Sequence, residues 1–426
     1  MTKTLVTGPH GPPDISYNLD YDNYLARTQR RLQTEKLPKD LPSGFPQQIQ
    51  NDLVWDGKDL AEKYDWNYTL TTDDLTEIES ALRHFKAQNL GLGFINQDTF
   101  PLPNLHKTLR DISKEIHMGH GFKVIRGVPV ASHTREENII MYAGISCHIA
   151  PVRGRQSFLD TGVDVALAHV KDMTSVVDGS KIGAPAYTNV KQAFHTDIGD
   201  VVALLCLAEG VGGGESYLSS SWKVYNELAA TRPDLIHTLS EYWAADTFGK
   251  IDIPYWHAPL LYHEPAKDTT PERVILHYSR RTFTGYLGLP RSANIPPLTE
   301  AQAEALDALH FTAEKYALSL DFRQGDIQYI NNFGLFHGRA SFQDSKEKQR
   351  HLIRIWLRDP EYAWEIPEPL RNKWDRVYKD VKPENTVFPL EPPIATGRDN
   401  NPGGKGLVAK GWHRLVQASQ RMLVPS

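Results

Sequence analysis

The order of elements along this chain predicts a mainly β protein with inserted helices, built on a double-stranded β-helix (jelly roll) core. Two observations carry that expectation. From about residue 150 onward short apolar runs dominate, several with valines at their ends, and helical stretches are set between them. No glycine-rich phosphate turn joins a strand to a helix, which argues against a doubly wound α/β sheet. The 426 residues, 40% of them hydrophobic, suffice for one elaborated core or two closely joined ones. The expected division is an irregular N-terminal arm over 1–60, a jelly-roll domain with helical insertions over 61–360, and a C-terminal extension over 361–426 packed on that core.

The arm is polar and rich in proline and tyrosine, which favours irregular chain over a packed element. Asp73-Asp74 followed by Glu77 resembles a helix start, and Leu75, Ile78, Leu82 and Phe85 then share one helical face. A second helix is expected over 104–117, with Leu105, Leu109, Ile112 and Ile116 on one side. Gly119 and Gly121 end it, and Phe122-Lys123-Val124-Ile125 reads as a strand closed by Gly127 and Pro129. His117, His120 and His148 lack close ligand-spaced partners and read as structural. Core strands are expected over 165–170, 201–207 and 274–278, and helices over 222–231, 233–242 and about 298–318. Near the end, Arg350, Leu352 and Arg354 share one face of a strand, and His351, Ile353, Ile355 and Leu357 share the other. Residues 397–406 read as a flexible loop before an amphipathic end.

A net charge of -5 leaves no footprint for nucleic acid or for an anionic membrane. The two cysteines, Cys147 and Cys206, form no disulfide framework and no CxxC metal pattern. There is no apolar signal region at the start and no apolar segment of membrane length, so the expected setting is reducing, soluble and cytoplasmic. A small-molecule partner is expected. Nothing in the chain reads out an oligomeric state.

His195 and Asp197, in Phe194-His195-Thr196-Asp197, stand two apart in an extended stretch, so their side chains point the same way. Together they could hold two positions on one metal ion. A further His from a later strand would complete a two-His-one-carboxylate facial triad, the mark of a non-haem Fe(II) oxygenase. Taken alone, the tripeptide reads as a hydrogen-bonded structural pair. Four other blocks change that reading: Gly121-Phe122-Lys123-Val124-Ile125-Arg126-Gly127-Val128-Pro129; Gly212-Gly213-Gly214-Glu215-Ser216; Gly325-Asp326 through Phe336-His337-Gly338-Arg339; and Arg350-His351-Leu352-Ile353-Arg354. With the first, and in this order, they resemble the taurine dioxygenase family, which spans taurine- and 2,4-dichlorophenoxyacetate-type dioxygenases with γ-butyrobetaine hydroxylase as a relative. The likeness covers roughly residues 120–360 and looks like the family's fungal branch.

The resemblance implies a clavaminate synthase-like jelly roll that uses Fe(II), 2-oxoglutarate and O2, with His195, Asp197 and His337 as iron ligands. The chemistry fits on its own terms. Iron must bind 2-oxoglutarate through two oxygens and still offer a position to O2, so the protein supplies only three ligands. The resemblance also implies that Arg350 pairs with the far carboxylate of 2-oxoglutarate, with Ser216 standing where the family usually has Thr. Arg354, four residues along the same face and about 13 Å away, matches the position that binds the substrate's acid in taurine dioxygenase, and so is expected to receive a substrate carboxylate. Lys191, Gln192 and the Arg280-Arg281 pair are further candidates for the substrate pocket, Arg339 could orient loops or substrate, and Trp222, Tyr255 and Trp256 read as core. The implied reaction oxidises an unactivated C–H bond of a small carboxylate or amino acid, releasing succinate and CO2; hydroxylation, desaturation and ring closure stay open. Two other readings use the same residues: a zinc-dependent hydrolase, against which the Arg350 site argues, and a jelly-roll binding protein without turnover.

Overall fold

Alternation along the long strands decides how the chain layers. The computed structural model describes residues 13–156, 163–267 and 270–392. The strands that frame the site are β1 (Asn67–Thr69), β2 (Phe122–Arg126), β3 (Val152–Gly154), β4 (Ala168–Lys171), β5 (Gln192–His195), β6 (Val201–Ala208), β7 (Ser216–Ser220), β8 (Leu318–Leu320), β9 (Ile327–Asn331), β10 (Leu335–Arg339) and β11 (His351–Arg358). They form two sheets. The larger runs β1-β2-β9-β6-β11-β3, with β4 also paired to β11, and the smaller runs β8-β7-β10-β5. On β11, Ile353, Ile355 and Leu357 join one apolar core, while Trp356 joins the other, as the period of two requires.

Among the described residues, eight helices cover these sheets: α1 (Tyr21–Thr34), α2 (Thr72–Ala87), α3 (Leu105–Met118), α4 (Arg135–Ile149), α5 (Ser221–Thr231), α6 (Pro233–Ser240), α7 (Glu300–Lys315) and α8 (Arg371–Tyr378), besides single-turn pieces. One core lies under α2, α3 and α4 against Ile327, Tyr329 and Ile353; the other gathers α5, α6 and α7 with the smaller sheet. Thr71 caps α2 by accepting from Asp74 N at 3.2 Å, while Asp74 accepts from Thr71 N at 2.8 Å, so the cap lies two residues before the expected start. His117 bonds Ser113 O at 2.7 Å through Nδ1, His120 bonds Glu115 at 2.7 Å and His148 bonds Phe100 O at 2.8 Å, contacts that agree with their structural reading.

Several elements depart from expectation. The run 165–170 splits, with Asp164–Val165 and Ala168–Lys171 as separate strands, and α7 stops at Lys315 so that Leu318 can open β8. Tyr255 and Trp256 are only half-buried, on a two-stranded ribbon, whereas Trp222 is core as expected. The expected loop over 397–406 lies outside the described residues. The largest difference is the arm, which contains the 14-residue helix α1. Asp20 caps it by accepting from Asn23 N at 2.9 Å. Its inner face is not apolar. Arg27, 2% exposed, reaches Asp307 at 2.6 Å and Glu300 at 3.1 Å, and Arg31 pairs with Glu304. A helix held by guanidinium–carboxylate pairs carries no hydrophobic stripe, which is why periodicity passes over it.

Asp307 joins this network to the rest of the fold, since it also meets Arg280 at 2.7 Å. Asp307→Ala removes the carboxylate that Arg280 pairs with and one of the two that Arg27 pairs with. It is expected to cost about 3–5 kcal/mol of unfolding free energy in a urea titration, whereas loss of an exposed pair such as Lys63–Asp59 should leave the urea midpoint unmoved.

Candidate active site

Strand pairing brings the sequence-distant histidines face to face. β10 crosses β5 antiparallel with His337 directly opposite His195, and their rings lie 4.2 Å apart. Asp197 stands in the turn after β5. Its Oδ1 is 3.8 Å from His195 Nε2, and its Oδ2 is 4.0 Å from His337 Nε2. One ligand atom from each residue lies within 4.8 Å of the others, and no second such trio occurs among the described residues. The Nδ1–H of His195 donates to Ala193 O at 2.9 Å, which leaves the Nε2 lone pair facing the cluster.

The turn itself is clamped by Asn332. Asp197 N donates to its Oδ1 at 2.8 Å, and its Nδ2 donates to the carbonyls of Asp197 and Gly199 at 2.9 and 2.7 Å. Asp197 Oδ2 accepts from Arg354 Nη1 at 2.6 Å and from Trp356 Nε1 at 3.2 Å. Burial pushes the Asp197 carboxyl up, but Arg354, His337 and His195 outweigh it and hold it down at about 2. Burial, aided by His195, pushes the His337 imidazole down to about 3, and burial lowers His195 as well. All three groups are therefore in the deprotonated form that binds a metal.

Arg350 lies at the entry to β11. Its guanidinium is buried, and its backbone N–H donates to the Asp344 carboxylate at 2.8 Å. Nη2 donates to Gly214 O at 3.1 Å, Nη1 is buried without a partner, and no described carboxylate lies within ion-pair distance. Gly214 has φ +80°, and a Cβ there would stand 2.7 Å from Arg350 Nε, so the glycine block serves the close passage of this side chain. Ser216 is buried, but its hydroxyl donates to Gln328 Oε1 at 2.9 Å, while Gln328 Nε2 is buried with no partner.

The remaining candidates divide. Arg354 reaches the site, with Nη1 on Asp197 and both Nε and Nη2 on Gln156 Oε1 at 3.1 and 2.9 Å. Gln192 Nε2 donates to His195 Nε2 at 3.1 Å. Lys191 does not join them: it is half-exposed and pairs with Glu314, because it precedes the strand that turns inward. Arg280 is also committed elsewhere, to Asp307 and to Ser16 O at 2.8 Å. Its neighbour Arg281 donates to the carbonyl of Gly183 and lies 5.4 Å from the centroid of the Phe248 ring, and Asp197 and Arg354 are among the charges acting on it. Arg339 orients a loop, donating to the carbonyls of Thr188 and Val190 at 2.8 and 2.6 Å. Asn332, Trp356, Gln156 and Gln328 were not singled out from the sequence. Asn332 lies between Gly325 and Arg339 and Trp356 two residues beyond Arg354, but nothing in their type or spacing marks them as partners of Asp197.

Residues 83–356 match the family described as Taurine catabolism dioxygenase TauD, TfdA. The chain belongs to this family. It is therefore a 2-oxoglutarate-dependent dioxygenase that uses Fe(II) and O2. It is 34% identical over 352 residues to the taurine hydroxylase-like protein SAT17 of Stachybotrys chartarum, covering 81% of this chain and 89% of that one. It is 23% identical over 312 residues to FR-33289 synthase of Streptomyces rubellomurinus, covering 71% and 88%. Among solved structures, a variant of the non-heme iron oxygenase OrfP in complex with (3S)-hydroxy-L-Arg superposes with a TM-score of 0.51 at 15% identity, over 75% of this chain and 99% of that one. That likeness supports the jelly-roll fold. The residues present fit the family's cofactors: two imidazoles and a carboxylate converge as donors, and a buried guanidinium has an unpartnered N–H edge.

Several histidines near these strands are buried and neutral. Besides His337, burial pushes His169 down to about 4 and, with the help of His169, His351 down to about 2; the two rings hydrogen-bond at 2.8 Å. Each folded-state value lies below the unfolded value of about 6.5. The unfolded chain therefore binds more protons as pH falls from about 6.5, so stability is full above that pH and drains below it. Thermal unfolding is expected to show a falling Tm between pH 7 and pH 4.5, on the order of 1 kcal/mol per pH step for each such histidine. A Tm flat across that window would contradict these assignments.

Proposed function

We propose that His195, Asp197 and His337 hold Fe(II), that Arg350 receives the remote carboxylate of 2-oxoglutarate, and that the substrate is a small, acid-bearing, amino-acid-like molecule met by Arg354 and Arg281. The observation that carries this reading is the convergence of the three donors in a fold where a buried guanidinium has no carboxylate of its own. When bound, Fe(II) couples the decarboxylation of 2-oxoglutarate by O2 to oxidation of a substrate C–H bond. The chain's own residues bind and orient. Arg350 offers its free Nη1 edge. Ser216 acts through Gln328: with the serine proton on Oε1, Gln328 Nε2 is the donor left for the cosubstrate.

The substrate class follows from the Arg354 fork. Its Nε and Nη2 both rest on one neutral carbonyl oxygen of Gln156, whose own Nε2 is buried without a partner. A substrate carboxylate on that edge would make two charge-assisted bonds and leave Nη1 on Asp197. Arg281, lowered by burial and with no carboxylate within ion-pair distance among the described residues, adds a second positive charge. Gln192, beside His195, is a further pocket residue. The taurine hydroxylase-like name of the 34%-identical relative agrees with a small zwitterion bearing an acid group. A cytoplasmic setting fits two buried free thiols, and no helix among the described residues is long and apolar enough to cross a membrane.

Anaerobic addition of Fe(II) and 2-oxoglutarate should produce a visible charge-transfer band, and an amino-acid panel should perturb it for the true substrate class. No band from folded, iron-loaded protein would defeat the reading. Arg350→Ala is expected to raise the KM for 2-oxoglutarate about 10- to 150-fold. Arg354→Ala should do the same to the KM for the acid-bearing substrate; because Arg354 also braces Asp197, iron affinity is measured alongside. A substrate KM unchanged in Arg354→Ala would remove it from the binding site.

A further inference from the structure

Helix α8 lies beyond the 83–356 family match, yet it touches the ligand-bearing turn at two places and reaches it at a third through His277. Trp374 Nε1 donates to Asp200 Oδ1 at 2.6 Å. The Tyr378 hydroxyl accepts from Asp200 N at 3.0 Å and would stand 2.8 Å from a Cβ on Gly199. The third contact is the most specific. Lys373 Nζ donates to His277 Nε2 at 2.7 Å and has no carboxylate within ion-pair distance among the described residues. Because Nε2 accepts from Lys373, the ring proton belongs on Nδ1, and Nδ1 lies 3.1 Å from Thr196 Oγ1. Thr196 is the residue between His195 and Asp197. Its hydroxyl oxygen also accepts from Tyr278 N at 2.9 Å, and its backbone N–H donates to Tyr278 O at 2.7 Å.

The direction of every bond in this chain depends on the lysine. Without a donor at Nε2, His277 is free to adopt the other tautomer. A bare Nδ1 would then face the Thr196 oxygen, and the hydroxyl proton would have to leave Tyr278 O, 3.3 Å away, to satisfy it. His277 and Thr196 are both buried, so no solvent rescues the misplaced pair. We propose that Lys373 is a positioning residue for the metal site: by fixing the tautomer of His277 it fixes Thr196, and with it the spacing of the His195 and Asp197 donors. The inference rests on the iron-site reading above. It makes the C-terminal helix part of the site, although α8 contributes no ligand.

The test uses the full-length chain and metal alone. Lys373→Met keeps the aliphatic stem but removes the donor, and Thr196→Val keeps the shape but removes the hydroxyl. Anaerobic calorimetric titration with Fe(II) is expected to show metal affinity lowered about tenfold in each. The double variant should be no weaker than either single one, because the two act through one relay. Lys373→Arg, which still donates, should recover most of the loss. In parallel, 15N spectra of the histidines in metal-free protein should show His277 protonated at Nδ1 in the wild type and mixed in Lys373→Met. Wild-type affinity in Lys373→Met with an unchanged His277 tautomer would overturn the relay and leave the iron site standing; so would losses that multiply in the double variant. Wild-type protein that takes up no Fe(II) would overturn the iron site and the relay together. If Lys373→Met does not fold, Lys373→Leu, which also lacks a donor, takes its place under the same outcomes.

Discussion

The antiparallel register of β5 against β10 is the constraint on which the site depends. His195 and His337 are 142 residues apart in sequence, and only this pairing sets them across from one another. Side chains on a strand alternate faces, so a slip of one residue would turn His337 away from His195. The register is pinned from the far side. β10 pairs residue for residue with β7, from Leu335 opposite Ser220 to Arg339 opposite Ser216. A shift between His337 and Arg339 on the β5 side then lets Gln192 meet Arg339 while the two histidines stay aligned. Asn332, just before β10, ties the same arrangement to the Asp197 turn, so one short segment positions two of the three donors.

A second theme is the contrast between arginines that are paired and arginines that are not. In the α1–α7 network every buried guanidinium meets a carboxylate, which is how such a group is tolerated inside a fold. Arg339 and Arg350 break that rule. They lie on the same ring, Phe342, at 4.7 and 5.3 Å from its centroid, and each leaves Nη1 buried and unsatisfied. Burial, and then the neighbouring Arg350 charge, pushes Arg339 down to about 10. Two like charges held together without a counter-ion destabilise the fold on their own, which agrees with the proposed arrival of a cosubstrate anion at Arg350.

How much of this was legible in the sequence depends on which physics leaves a pattern. The β11 faces were readable because burial on both sides of a strand still obeys a period of two, and Arg350 and Arg354 fell on the expected side. The candidate trio was legible only through the family resemblance: the spacing of His195 and Asp197 alone reads as a structural pair, and nothing local ties His337 to them. Helix α4 was not, since all its residues from Asn138 to Ile149 are buried and a helix apolar all round has no stripe to detect. Helix α1 failed for the opposite reason, its buried face being ionic. Of the Arg280-Arg281 pair, Arg280 turns to Asp307 while Asp197 is among the charges acting on Arg281, a difference of one residue's rotation at the single-turn helix Arg281–Thr284, which no periodicity fixes. Long-range partners such as Asn332 and Lys373 have no local signature at all; only the fold brings them to the Asp197 turn.

Arg354 and Trp356 also decide how Asp197 can serve a metal on the proposed reading. A carboxylate can bind through one oxygen or two, and binding through both would consume a coordination position that the reaction needs for 2-oxoglutarate or O2. In this site Oδ2 is already engaged by two donors, at 2.6 and 3.2 Å, while Oδ1 has only the Nε2 of His195 beside it, at 3.8 Å. The asymmetry leaves Oδ1 as the oxygen free to bind. It also gives Arg354 two duties along separate edges of one planar guanidinium: Nη1 keeps Asp197 single-handed, while Nε and Nη2 remain exchangeable between Gln156 and an incoming acid. A lysine could not divide its charge in that way, since its ammonium is a single point with no second edge. The arginine on β11 thus links the number of open metal positions to the recognition of the substrate.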